Sequence, residues 1–485
     1  MVVSSGGTPR RAGSPSIQEE STMPPLSPNQ VIAFVLLDLA LIFLVARLVG
    51  GLFVRIGQPR VVGEIVAGIL LGPTLLGVTL WPGFEAPAFL HCEASLSAAL
   101  PGWGTDGPPA QSPTYCLFPP QARAVLGNIG QIALLLFMFL TGLELNVKSL
   151  KGKFNSIVLV GLGVVAVPVA LAFAIAPVMN TPTFQAAGAS DLGFTLFVGA
   201  MLSVTAFPVM VRILQEKNLT TSAMGATGIA AAAIVTVLMF QLAASAGIVA
   251  SGAGGGVLSR SLVLSGVYLA VMVLVVRPLL KPLGRRFAEQ GMTSGIFATV
   301  FIVLFASGYV AHLLGLSVIV GGFMAGVVLP QPRGPLFVDM SGRLAELAGT
   351  ILLPVFLAFS GLGTDFTQLT AASLVGIGVF LVAGVVGKWG AGAVFARAGG
   401  LTWAEGNVLG ILMNCRGLLP LVVAIVGLQS GVITPVMQLG GVLMALATTA
   451  MTGPLFDAYI GRAVPAAAGG STQPALVHDA DHDTA

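Results

Sequence analysis

Thirteen apolar runs, most of about 20 residues, constrain this chain more than any other feature. They lie at about 31–55, 60–79, 123–146, 154–178, 192–215, 220–249, 258–281, 293–314, 316–331, 343–363, 370–397, 403–428 and 432–461. A run of about 20 apolar residues crosses the hydrocarbon of a bilayer as a helix, because the backbone must pair its own donors and acceptors there. Only 8% of the 485 residues are charged. A soluble protein carries about 25% charged residues, so the fold class read here is an all-α polytopic membrane protein. The 63 glycines suit helices that pack closely in lipid.

Thirteen spans put the termini on opposite sides, and the positive-inside rule selects the orientation. With the N-terminus outside, the inner loops collect Arg55 and Arg60, then Lys148, Lys151 and Lys153, then Lys281, Arg285 and Arg286. The outside receives Arg10, Arg11, Arg123 and Arg260. Arg47, Lys388 and Arg416 lie within spans. Residues 1–30 are polar and rich in Pro, Ser and Gly, and read as a disordered tail. Residues 462–485 read as a second tail. Its end, "HDADHDTA", is a solvated acidic terminus rather than a metal site, because nothing there fixes ligand geometry. The membrane domain is therefore 31–461, with a long extracytoplasmic loop at about 80–122. That loop carries Cys92 and Cys116; an oxidising compartment permits a disulfide, and two unpaired thiols are the alternative.

Two spans are not plain. The fifth, "FTLFVGAMLSVTAFPVMVRIL", places Ser203, Thr205 and Pro208 at mid-membrane. The twelfth, "NVLGILMNCRGLLPLVVAIVGL", places Asn414, Arg416, Gly417 and Pro420 there. Proline removes a backbone donor, and nearby hydroxyl and amide groups satisfy the freed carbonyls or bind an ion. The two breaks are seven spans apart, which fits six spans, a linker and six more in inverted orientation. Matched broken helices in inverted repeats point to a midplane site of a secondary transporter.

Charges inside spans are a second pointer, because they are costly in lipid. Lys388 lies deep in the eleventh span between Gly387 and Gly390, with snorkelling to the inner interface as the bland alternative. Glu64 sits near the inner end of the second span, Glu144 near that of the third, and Asp38 in the first. Each of these acids reads equally as a functional carboxylate or as a structural partner for a nearby arginine or helix end.

Several stretches resemble the monovalent cation:proton antiporter-2 family, the Kef-type and sodium/proton exchangers. They are "QPRVVGEIVAGILLGPTLLG", "FMFLTGLELN", "MLSVTAFPVMVRIL", "SVIVGGFMAGVVLP", "LLPVFLAFSGLGTDF" and "NCRGLLPLVVAIVGLQSGVIT". The resemblance covers about 31–461. It implies the sodium/proton antiporter fold with two crossed broken helices, a homodimer in the cell membrane, and exchange of Na⁺ or K⁺ for H⁺. It further implies an ion-binding carboxylate on the sixth span, where family members read like "SAAAVDDVLAW". This chain reads "AAAAIVTVLMF". Val235 stands at the first acidic position and Thr236 at the second. Lys388 matches the family's basic residue of the eleventh span, and Thr205 and Arg416 match broken-helix positions.

That departure bears on the chemistry. A carboxylate binds cation or proton by competition, whereas threonine offers only a neutral oxygen. Lys388 then stands without its expected counter-charge, and a lysine so placed is a candidate to carry the proton itself. The first reading is an antiporter using Ser203, Thr205, Thr236 and broken-helix carbonyls for the cation, with Lys388 or Glu144 carrying the proton. The alternatives are a proton-coupled exporter of an organic solute or cation–ionophore complex, and a non-transporting scaffold. The spans hold no nucleophile–base or metal-ligand constellation, so an enzyme is not expected. No cofactor, nucleic-acid partner or nucleotide-regulated cytosolic domain is expected either.

Overall fold

The computed structural model describes residues 27–56, 58, 60–72, 117–144, 154–217, 219–220, 222–290, 293–330, 342, 344, 351–362, 369–417 and 419–463. Cys92, Cys116, most of the 80–122 loop and nearly all of both tails lie outside these residues. Side chains carry the start signals of several helices. Ser190 accepts from Gly193 N at 3.2 Å, and Ser222 accepts from Gly225 N at 3.0 Å. Thr402 and Glu405 form a reciprocal capping box, as do Thr370 and Ser373. Each cap satisfies backbone donors that a helix start leaves unpaired.

The first half runs α1 (Pro28–Arg55), α2 (Arg60–Leu71), α3 (Pro120–Glu144), α4 (Phe154–Met179), α5 (Asp191–Ser203), α6 (Phe207–Glu216) and α7 (Ala223–Ala250). Then come α8 (Gly255–Val271), a π-helical segment (Met272–Val276) with a short continuation (Arg277–Leu279), and α9 (Lys281–Gln290). The second half runs α10 (Ser294–Leu313), α11 (Val318–Val328), α12 (Leu353–Leu362), α13 (Ala371–Ala398), α14 (Trp403–Met413), α15 (Leu419–Gln429) and α16 (Pro435–Ala463).

Among the described residues, eight helices are long and apolar enough to cross a membrane by themselves. Others are shorter apolar helices, including α5, α11 and α15. The fifth and twelfth spans are each split into two helices, as their polar, proline-bearing centres predict. The apolar pattern alone does not separate α9 from the seventh span. This helix carries Lys281, Arg285 and Arg286, and its polar character suits an interface helix.

The helices sort into two bundles. One contains α1, α2 and α3 with α10, α11 and α12; the other contains α4 to α7 with α13 to α16. Each half of the chain thus gives its first three helices to one bundle, α1–α3 and α10–α12, and its later ones, α4–α7 and α13–α16, to the other. In the second bundle α13 packs along both α4 and α14, and α5 packs along α4 and α7.

Close approach in that bundle depends on glycine. A Cβ on Gly392 of α13 would fall 2.5 Å from the Gly410 Cα of α14, whereas one on Gly390 would meet nothing within 4 Å. Gly392→Val is therefore expected to cost about 1–3 kcal/mol by forcing the two backbones apart. Gly390→Ala should be neutral or stabilising by about 0.5 kcal/mol. Thermal unfolding of the purified proteins in detergent compares the two.

Candidate functional site

The breaks of the fifth and twelfth spans are bonded to each other. After α5 the chain turns extended at Val204 (ψ 139°) and resumes as α6 at Phe207. Between α14 and α15, Gly417 adopts φ +50°, a left-handed conformation that favours glycine. Thr205 Oγ1 donates to Met413 O at 2.9 Å, and Ala206 N donates to Cys415 O at 2.7 Å. Gly417 N donates to Thr449 Oγ1 of α16 at 3.0 Å. A Cβ at Gly417 would stand 2.9 Å from that of Ala206, so the crossing is tight. An unpaired backbone group in hydrocarbon costs several kcal/mol, and these bonds are what make two interrupted helices tolerable there.

Two fully buried basic side chains converge on the C-terminal end of α5. Arg416 Nη1 donates to Met201 O at 2.9 Å, and Nη2 donates to Gly384 O at 2.7 Å. Gly384 leaves the room: a Cβ there would collide with Met444 and lie 3.1 Å from Arg416 Nη2. Lys388 Nζ donates to Val164 O of α4 at 2.9 Å and to Ser203 O. Its side chain is 0% exposed. Lys388 therefore does not snorkel out of the bundle. The carbonyls at the C-terminal end of a helix carry partial negative charge, which suits the nitrogen donors of both side chains.

The neutral oxygens expected at the site are buried in the same bundle. Ser203 Oγ shares its one hydrogen between Gly199 O at 2.7 Å and Val165 O at 3.3 Å. Thr236 Oγ1 donates back along its own helix to Ala232 O at 2.9 Å, which leaves its lone pairs as its only free capacity. Val235 beside it is fully buried. Asn414 caps α14, and its side-chain Oδ1 is buried without a hydrogen-bond partner.

The acids fall elsewhere. Among side chains that are described, the buried carboxylates are Asp38 and Glu64, and both belong to the other bundle. Asp38 lies under the electrostatic influence of Arg123, and Glu64 under that of Arg60 and Arg47. Glu144 ends α3, and its side chain lies outside the described residues. The structure thus brings Lys388, Ser203, Thr205, Asn414 and Arg416 to the crossing and leaves Asp38 and Glu64 away from it. Sequence reasoning missed the contributions of Val164, Met201 and Gly384, which act through backbone carbonyls that no side-chain pattern reveals.

A cavity of about 520 Å³ lies between the bundles. Its walls come from the C-terminal parts of α7 and α15, from the α10–α11 connection, and from α3 and α12. Phe240, Phe356, Val422 and Val423 make it largely apolar, while Gln131, His312 and Gln429 supply polar groups. Phe240 follows Thr236 by one helical turn on α7.

Comparison with known proteins fits this architecture. A family described as "Sodium/hydrogen exchanger, transmembrane" matches residues 40–458. The chain is 32% identical to the Na(+)/H(+) antiporter NhaS4 of Synechocystis sp. over 435 residues, covering 88% of this chain and 97% of that one. It is 29% identical to Cation/H(+) antiporter 19 of Arabidopsis thaliana, covering 93% of this chain and 52% of the relative. It is 28% identical to K(+)/H(+) antiporter 1 of Saccharomyces cerevisiae, covering 87% of this chain and 46% of the relative. The chain thus spans about half the length of these plant and yeast relatives. Its fold is similar to that of the sodium proton antiporter MjNhaP1 from Methanocaldococcus jannaschii, with a TM-score of 0.60 at 13% identity over 89% of this chain and 98% of that one.

Proposed function

The chain belongs to the transmembrane sodium/hydrogen exchanger family, and from that premise we propose how its crossing exchanges a monovalent cation for a proton. It is a multi-pass membrane protein and a monovalent cation/proton antiporter, not an enzyme. In our reading Lys388 is the proton carrier, and the transported Na⁺ or K⁺ is held by Ser203, Thr205, Thr236, Asn414 and the carbonyls of the breaks. The observation that carries this reading is the fully buried side-chain nitrogen of Lys388, donating to two backbone carbonyls in a bundle with no buried acid among its described side chains.

Val235 and Thr236 stand where the family usually keeps its carboxylate, so competition between proton and cation needs another titrating group. A lysine supplies it electrostatically. The protonated ammonium repels a cation from the neutral oxygens, and the deprotonated amine permits it to bind. Arg416 beside it stays charged and keeps a structural role. The third-span Glu144 is the second candidate carrier.

The same reading has thirteen spans, an outside N-terminus, a cytoplasmic C-terminus and a homodimer in the lipid bilayer of the cell membrane. In that orientation the cavity between the bundles opens outward. Its apolar walls favour a second reading, a proton-coupled exporter of a larger organic solute.

Everted vesicles separate the two readings. Adding Na⁺ or K⁺ to vesicles with an imposed pH gradient is expected to dissipate it; indifference to both ions favours the organic solute. Thr236→Asp adds the family's missing group, and it is expected to shift the pH dependence of an exchange already present in the parent. Exchange that appears only in the T236D variant would show that the parent does not run cation/proton antiport.

A further inference from the structure

The fourth span, α4, looks plain in the sequence, yet it holds two prolines, Pro168 and Pro177. Proline has no amide hydrogen, so within a helix the carbonyl four residues earlier loses its usual partner. For Pro168 that carbonyl is Val164 O. It accepts instead from Lys388 Nζ at 2.9 Å, 224 residues further along the chain. Val164 and Pro168 are both buried. The neighbouring Val165 O accepts from Ser203 Oγ at 3.3 Å. Two successive carbonyls at the proline step thus face the break of the fifth span.

The partner helix is shaped to reach them. Gly387, just before Lys388, has no Cβ to strike Leu171 of α4, and its Cβ position would lie 4.0 Å from Pro168 Cα. The second carbonyl on Lys388, Ser203 O, is free for a related reason. The α5 helix stops at Ser203, so no following turn claims that oxygen. Both acceptors on the ammonium are therefore products of helix interruption, one made by Pro168 and one by the break at 204–206.

We propose that Pro168 is a positioning residue for Lys388: by freeing the Val164 carbonyl it supplies part of the counter-charge that a sixth-span carboxylate would otherwise give. An ammonium in a dry bundle needs such acceptors, because an unpaired buried charge is far more costly than a paired one. Two carbonyl dipoles provide them without a titrating group of their own, so protonation of the site is left to the lysine. The functional consequence rests on Lys388 being the proton carrier; the placement does not.

A two-by-two set of Pro168→Ala and Lys388→Ala in the purified full chain tests the placement by thermal unfolding. With Lys388 present, the amide hydrogen restored by P168A competes with the ammonium for Val164 O and draws that oxygen back along the helix. In K388A the oxygen is unpaired, and the restored amide repairs it. P168A is therefore expected to shift the melting temperature more favourably in K388A than in the parent. An equal or less favourable shift in K388A overturns the proposal. If P168A fails to fold while the double variant folds, the coupling is confirmed; failure of both while K388A alone folds overturns it. Pro177→Ala, in the same helix, is expected to give the same shift in both backgrounds.

Vesicle exchange adds the functional arm. P168A is expected to displace the pH profile of cation-driven proton flux, and P177A to leave it in place. An unmoved P168A profile overturns the functional part of the proposal. Thermal coupling in proteins where K388A still exchanges like the parent would leave the placement standing and remove Lys388 as carrier.

Discussion

Replacing Arg416 with alanine is expected to destabilise the protein by about 3–5 kcal/mol, from two unsatisfied carbonyls and the void a large side chain leaves. Among the described residues, Arg416 is the largest fully buried side chain. Its guanidinium ties α5 to α13 through Met201 O and Gly384 O, while its own backbone belongs to the break between α14 and α15. Three of the helix segments that build the crossing thus meet on one side chain. Arg416→Lys keeps the charge but replaces a planar fork with a single ammonium, so one of the two carbonyls loses its donor. The lysine variant is expected to fall between parent and alanine. Thermal unfolding of the three proteins in one detergent ranks them; equal stability of R416A and the parent would contradict the role given to this residue.

Replacing Lys388 with alanine is expected to reduce cation-driven proton flux about 100-fold or more, the scale lost when a proton-transferring side chain is removed. The same variant leaves Val164 O and Ser203 O without their donor. A loss of flux alone would thus confound chemistry with structure. Lys388→Gln separates the two, since its amide can donate to a carbonyl but does not titrate. Flux should be lost in both variants, whereas stability should be better preserved in K388Q.

Much of this architecture is legible in the amino-acid order. The span pattern is visible because each helix must be apolar over the thickness of the bilayer. The two interruptions are visible because Pro208, Gly417 and Pro420 coincide with Ser203, Thr205, Asn414 and Arg416 inside otherwise apolar runs. Lys388 stands out for the same reason, as a charge with no place among lipid-facing residues. Other features depend on the fold. Pro168 looks like one more tolerated membrane proline until the eleventh span is laid beside the fourth. The partners of Arg416 are backbone oxygens, and a backbone oxygen is available only where a helix stops, bends or comes close. The boundary of α9 is hidden because its basic residues read as an ordinary inner loop. Glu64, Glu144 and Asp38 illustrate the converse: a carboxylate within a span is easily found, but its bundle is not written in its neighbours. Glu64 and Asp38 lie away from the crossing.

Lys388→Arg tests the central claim most directly. Arginine donates to carbonyls as lysine does and remains charged throughout the accessible range of pH, so it can hold the site together but cannot release a proton. In everted vesicles with an imposed pH gradient, the parent should respond to Na⁺ or K⁺ with proton flux that depends on pH. K388R, shown to be folded by thermal unfolding, should give none. Flux in K388R with the pH dependence of the parent would contradict the assignment of the proton to Lys388.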